Sequence, residues 1–365
     1  MGSRVTTTDP DQRRRSDLQA RRGSATSGFL LGRNALADGA DVLSDEMIAI
    51  DGNGVPTLSI VIPTFQRPAF LAEAVKSAMA QDHGGLFEVV VIDDDPLSDG
   101  HERLRAAMPD VGAAGFRYLR NRRNLGMYPN INRCVSAARG SWLTILHDDD
   151  LLDPDFARRM FRQLAARPDL DGLVCRKRLR DHRAVPFTER GAKRAARRLL
   201  DLCRFRGRAV RRITARKLFW GCIVGNTVGF LCRTADVRSL GGFLPEEHPS
   251  SDYFFYARFA ERFALAETRN VLATIRIADN SLMRPETQLA CLRRGYELQQ
   301  AYVGTVAPRW WRRVSPLLMA WQIANTSRVW RSDLTRAETI AAIGIETPRN
   351  RPLLLLIARA MMRGL

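Results

Sequence analysis

The chain has 365 residues, 45% of them hydrophobic and 26% charged, which is ordinary for a globular protein and enough to bury a full core. Its formal net charge of +18 is not ordinary, and it points to an anionic partner: nucleic acid, a phospholipid surface or a phosphorylated substrate. The six cysteines form no Cys-x-x-Cys pair, which argues against a zinc site or a disulfide framework and fits a reducing compartment.

Residues 1–55 are rich in Arg, Asp, Gly, Ser and Thr, and read as a mobile basic arm with a short helix at residues 41–50. Order begins at Leu58-Ser59-Ile60-Val61-Ile62-Pro63, a β-branched run that predicts a buried strand. Pro68 opens a helix with Phe70, Leu71, Ala74, Val75, Ala78 and Met79 on one stripe. Residues 87–92 form the next strand, ending at Asp93-Asp94-Asp95. A helix at 100–107, a strand at 116–119, a helix at 130–138 and a strand at 142–146 follow. Strands alternating with helices predict a largely parallel sheet, whose ligands bind beyond the strands' carboxyl ends.

Those ends carry the acidic clusters. Asp148, Asp149 and Asp150 stand directly behind the apolar run 142–146. Three adjacent carboxylates repel one another unless a cation sits among them, and hard oxygen ligands suit Mg²⁺ or Mn²⁺. A structural alternative is a cap cluster for a helix started by Asp153 and Pro154.

Beyond residue 173 the pattern changes. Residues 176–217 hold 17 Lys or Arg against three acids, so this window supplies most of the net charge and predicts basic amphipathic helices. A strand is expected at 224–232, a helix at 253–263, and helices from residue 287 to the end. His147, His182 and His248 show no ligand spacing and read as ordinary polar side chains. No apolar run approaches the roughly 18–20 residues that span a bilayer, and the start has no secretion core, so a cytoplasmic location is expected.

Four segments in order resemble a family-2 glycosyltransferase with the GT-A fold. They are Ser59–Pro68, Val90-Val91-Ile92-Asp93-Asp94, residues 121–126 with the helix after them, and the DxD-like run 146–154. The resemblance covers residues 58–281 and implies an α/β fold: a GT-A (Rossmann-like), mostly parallel sheet flanked by helices. It divides the chain into a GT-A domain at 56–285, with a nucleotide-binding half at 56–172 and an acceptor half at 173–285. The acceptor half would contain the basic helical insertion 176–217, and 286–365 would be a helical C-terminal extension.

The same resemblance assigns roles. Pro63, Thr64, Arg67, Asp93, Asp94, Asn124, Gly126 and Asp148 would hold a nucleoside-diphosphate sugar. Asp149 and Asp150 would bind Mg²⁺ or Mn²⁺, with Asp148 as second choice. Leu240-Gly241-Gly242-Phe243 resembles the family's Gly-Gly-Phe turn and makes Asp252 the general base of an inverting transfer; its alternative is a helix cap. Arg276 would touch the acceptor or a phosphate. The sequence departs from the family at His147, where many relatives have Asp, and at Ser251, where relatives often have Glu.

The implied partners are a sugar nucleotide and a glycan, lipid-linked or protein acceptor. The basic stretch would meet an anionic membrane face, giving a peripheral position on the inner face of the cell membrane. Two other readings compete. One is a sugar-nucleotide-binding scaffold without activity. The other, a nucleic-acid-binding protein, is disfavoured because the basic window lacks interleaved aromatics and the acidic clusters would repel a polyanion.

Overall fold

A computed structural model describes residues 34–36, 42–47, 55–108, 115–182, 205, 207–277, 284–330 and 335–345. Among them, the strands β1 (Val42–Met47), β2 (Leu58–Thr64), β3 (Phe87–Asp93), β4 (Phe116–Asn121), β5 (Trp142–Ile145), β6 (Leu151–Leu152), β7 (Gly172–Asp181), β8 (Val210–Ile213), β9 (Phe230–Arg233) and β10 (Leu265–Ile277) form one sheet. Its order is β1-β4-β3-β2-β5-β9-β7-β10-β6, with β8 also on β10. The block β4-β3-β2-β5 is parallel, as is β7 with β10. β9 runs antiparallel to both β5 and β7 and so joins the two parallel parts.

Helices α1 (Pro68–Met79), α2 (Gly100–Ala107), α3 (Met127–Ala137) and α4 (Phe156–Ala165) alternate with the first strands. The strands are apolar on both faces because helices cover both. Ile60 and Ile62 of β2, with Val89 and Val91 of β3, pack in the cluster that holds Leu71, Val75 and Ala78 of α1 and Phe156 and Met160 of α4. Val61, Val90 and Ile92 point the other way, into the cluster of Ile131 and Val135 from α3. The two-residue period of a strand thus sorts one sequence run into two cores.

The second half contributes α5 (Ala215–Leu218), α6 (Thr234–Ser239) and α7 (Ser251–Arg262). Helix α7 is apolar almost all round: Tyr253, Phe254, Phe255, Tyr256 and Phe259 are all buried. It needs partners on every side. α8 (Pro285–Tyr302) supplies Leu298 and Tyr302 to the same cluster, and the segment before α9 (Ser315–Trp330) supplies Trp311 and Val314. α10 (Arg336–Ile343) closes a smaller core with Leu292, Met319 and Ile323.

Several expectations shift. The short helix expected at 41–50 is the edge strand β1, paired antiparallel with β4; of the rest of the arm, residues 34–36 and 55 are described, and Ala35 is held by its N–H on the Gly241 carbonyl at 2.8 Å. The helix expected after Asp153 begins at Phe156, and the Asp153 carboxylate instead takes a bidentate bond from Arg178, at 2.5 and 2.9 Å. The strand expected at 224–232 shrinks to β9, because Gly225 and Gly229 hold φ of +76° and +75° and turn the chain rather than extend it. The basic window 176–217, expected to be helical, is strand where it enters in β7 and leaves in β8, and helical only in the short α5 among the described residues. Residues 183–204 lie outside the described residues, as does the chain end from residue 346.

One close approach gives a test of the parallel block. A Cβ on Gly140 would stand 2.5 Å from the backbone nitrogen of Ser59 and 2.7 Å from the carbonyl carbon of Leu58. Backbone cannot yield as a side-chain tip does. Gly140→Ala is expected to destabilise by about 1–3 kcal/mol, read as a lower urea midpoint at unchanged m-value.

Candidate active site

The acidic triplet occupies the tight turn between β5 and β6. The turn is closed by the Asp150 N–H donating to the His147 carbonyl at 3.1 Å, and β6 is pinned to β10 by antiparallel pairing. Asp148 and Asp150 are buried and Asp149 is half-buried, and they draw donors from several elements. Asp148 accepts from the Thr64 hydroxyl at 2.9 Å, at the end of β2, and lies 3.5 Å from Arg67. Asp149 accepts from the Arg67 guanidinium at 2.8 Å. Asp150 accepts from the backbone N–H of Arg276 at 2.9 Å and the Asn226 amide at 3.2 Å.

These donors do not cancel the crowding. Burial, and next the charge of Asp149, push the Asp148 carboxyl up to about 6 and that of Asp150 up to about 7. A divalent cation placed among them would relieve both effects. The donor set fits one: the side chains of His147, Asp149 and Asp150 each offer a ligand atom, all within 4.8 Å of one another. Burial lowers the imidazole's pKa, opposed by the charge of Asp149.

Arg276 belongs to this turn in a way the sequence did not suggest. Its side chain is buried: the guanidinium donates to the Asp149 carbonyl, to Glu73 of α1 at 2.6 Å and to the Phe70 carbonyl at 3.4 Å, and lies over the Phe70 ring. In this conformation it is committed to holding the triplet, rather than to an acceptor.

The second acidic cluster is also engaged. Asp93 accepts from the Tyr118 hydroxyl at 2.6 Å and from the backbone N–H of Asp95 at 3.0 Å. Asp94 accepts from Asn121 and from the backbone N–H groups of Leu125 and Gly126, each at 2.8 Å. It thereby clamps the loop 121–126 against β3. Asn124 is exposed on that loop and accepts from the Gly126 N–H at 3.0 Å, while Gly126 holds a φ of +85°. Pro63 and Arg67 flank the cleft where β2 gives way to α1.

Asp252 sits in the first turn of α7, its carboxylate accepting from the Tyr253 N–H at 2.8 Å. Burial pushes its carboxyl up to about 6, opposed by that hydrogen bond and by the charge of Lys177. Lys177, on β7, was not anticipated. Its ammonium donates to the carbonyls of Val224 at 2.9 Å and Asn226 at 2.5 Å, and its charge reaches both Asp150 and Asp252. The charge of Lys177 thus favours the ionised form of Asp150 and of Asp252 alike. No motif marks Lys177, Asn226 or Thr227; only the fold brings them to the cleft. His147 carried a signal, standing in the motif itself, but one imidazole shows no spacing.

Residues 59–224 match the family model described as glycosyl transferase family 2. That stretch is similar to family 2 glycosyltransferases. The chain is 36% identical over 112 residues to the succinoglycan biosynthesis protein ExoO of Rhizobium meliloti, covering 31% of each chain. It is 33% identical over 98 residues to the GalNAc(5)-diNAcBac-PP-undecaprenol beta-1,3-glucosyltransferase of Campylobacter jejuni, covering 27% of this chain and 31% of that one. The matches thus span about a third of these relatives' length. The chain also superposes on the crystal structure of S. aureus TarS 1-349 in complex with UDP-GlcNAc, with a TM-score of 0.53. That match covers 84% of this chain and 88% of the other at 15% identity, which establishes a shared α/β fold.

The clamp at Asp94 is testable apart from any activity. Asp94→Ala removes an acceptor from three donors, of which the Asn121 amide and the Gly126 N–H keep Asn130 and Asn124, and is expected to cost about 1–3 kcal/mol in thermal or urea unfolding.

Proposed function

We propose that the chain is a metal-dependent, inverting glycosyltransferase that moves a sugar from a nucleoside diphosphate to an acceptor hydroxyl. The observation that carries this reading is the clustering of ligand atoms from His147, Asp149 and Asp150 within 4.8 Å of one another, with a second carboxylate, Asp252, in the first turn of α7. One group of residues suits a leaving diphosphate; the other suits a proton.

In this reading the cleft between β2, β3 and the 121–126 loop receives the nucleotide, with Pro63, Thr64, Arg67, Asp93, Asp94, Asn124 and Gly126 around it. Asp149 and Asp150 would hold Mg²⁺ or Mn²⁺, whose positive charge stabilises the departing diphosphate oxygens. Arg67 adds a guanidinium beside Asp148 and Asp149. Asp252 takes the proton from the acceptor hydroxyl as that oxygen bonds to the anomeric carbon. The bond from that carbon to the phosphate oxygen breaks, its electron pair leaving with the diphosphate. A single displacement of this kind inverts the anomeric centre.

The acceptor class follows from the named relatives. One is a succinoglycan biosynthesis protein and another a glucosyltransferase on an undecaprenol-linked glycan. A polysaccharide or lipid-linked acceptor at an anionic membrane face would also use the basic window 176–217. No helix among the described residues is long and apolar enough to cross a membrane, so attachment would be peripheral. An inactive scaffold is the second reading, motivated by His147 and by Ser251, whose buried hydroxyl is spent on the Leu244 carbonyl at 2.9 Å.

Three measurements bear on this. Thermal shifts with UDP, GDP, CDP and dTDP, each with Mn²⁺, Mg²⁺ or EDTA, are expected to show one nucleotide with a metal-dependent rise. Asp149→Ala and Asp150→Ala are expected to abolish that rise; no rise with any pair in a folded sample rejects the donor site. Asp252→Asn is expected to lower transfer by about 10²–10⁴-fold with nucleotide binding intact, whereas a scaffold would not notice the change. Because a base must be ionised, kcat/KM should climb with pH through about 6, the value to which burial raises Asp252. A profile flat from pH 5 to 8 counts against Asp252 as the base.

A further inference from the structure

We infer that His147 is itself a metal ligand, so that this site selects a first-row transition ion over Mg²⁺. The inference rests on the metal-dependent reading above and concerns the position where the chain departs from the all-carboxylate pattern.

The ring is held at one nitrogen and faces a carboxylate with the other. Its Nε2 lies 3.1 Å from the hydroxyl of Thr227, a buried residue, and its Nδ1 lies 3.7 Å from the nearer oxygen of Asp150. Donation of the Nε2 proton to Thr227 leaves the Nδ1 lone pair facing Asp150. Such a hydrogen bond from the second ring nitrogen is how ligating histidines are usually oriented. The separation of 3.7 Å is too long for a hydrogen bond. It suits two ligands on one ion, which lie roughly 3–4 Å apart when each bond is about 2.1 Å.

The support behind the ring is built in. Thr227 precedes β9 in a turn closed by the Phe230 N–H on the Thr227 carbonyl at 3.1 Å. In the same turn Asn226 donates to Asp150, and Lys177 holds the carbonyls of Val224 and Asn226. One segment therefore orients the imidazole and the carboxylate together. Mg²⁺ takes oxygen donors and dehydrates reluctantly, whereas imidazole favours transition ions. Replacing one carboxylate by imidazole in a site that keeps Asp149 and Asp150 shifts the preference away from Mg²⁺.

The test is Mn²⁺ electron paramagnetic resonance with electron-spin-echo modulation on the full chain, with Mn²⁺ alone and with UDP or GDP added. The wild type is expected to show nitrogen modulation from a directly bound imidazole. Since the chain has five histidines, assignment requires that His147→Asp and His147→Gln lose it while remaining folded by circular dichroism. In His147→Asp, displacement of Mn²⁺ by Mg²⁺ should become easier by on the order of tenfold. Thr227→Val should weaken Mn²⁺ binding by a similar factor. Bound Mn²⁺ without nitrogen modulation overturns this inference and leaves the metal-dependent transferase standing. A folded wild type that binds no Mn²⁺ in any mixture overturns both.

Discussion

The constraint on which the site depends is electrostatic: three consecutive carboxylates are folded into a buried turn between β5 and β6. Like charges at such spacing resist burial, and the elevated Asp148 and Asp150 carboxyls record that resistance. The surrounding fold answers it by delivering one donor from each nearby element end. Thr64 and Arg67 come from the close of β2, Asn226 from the turn before β9, and Arg276 from the far end of β10. The register of β10 matters here. It pairs with β7, β8 and β6 along different stretches, and only its last residues reach the triplet.

Arg276 shows how such a site is stiffened from behind. Its backbone N–H meets Asp150, while its guanidinium crosses to the Asp149 carbonyl and to Glu73 on α1. One residue thus ties the acidic turn to the helix that begins just after Arg67. Displacing the turn would strand a buried guanidinium, a costly outcome in a poorly solvated place. The geometry of the carboxylates is held by hydrogen bonds and ion pairs.

The parallel half of the fold was legible because its strands are buried on both faces and read as continuous apolar runs. β2, β3 and α2 fall within a residue of expectation for that reason. β1 escaped because Asp45 and Glu46 break any apolar alternation at this sheet edge. The 224–232 run misled because Val224, Val228 and Leu231 look like strand, while Gly225 and Gly229 carry the conformation. The acidic triplet, Asp252 and the Gly-Gly-Phe turn were visible as local motifs. Lys177, Asn226 and Thr227 were not, since their roles exist only across pairings distant in sequence.

Those unmarked residues link the two chemical halves of the site. Lys177 pins the carbonyls of Val224 and Asn226, and the Tyr256 hydroxyl donates to the same Asn226 carbonyl at 3.2 Å. Tyr256 lies one helical turn after Asp252 on α7. The segment that holds Asp150 is therefore hydrogen-bonded to the helix that carries the candidate base. Three glycines with positive φ, at 221, 225 and 229, let this segment fold back between β7 and α7. In the proposed reading, the carboxylate that takes a proton and those that hold a cation need fixed separation, and no single strand or helix spans them. A short glycine-punctuated turn, locked by the half-buried Lys177, would set that separation. Burial lowers the Lys177 pKa, while the charges of Asp252 and Asp150 oppose that fall. The lysine and the carboxylates thus stabilise one another's ionised forms, and the cleft's chemistry and its architecture rest on the same charges.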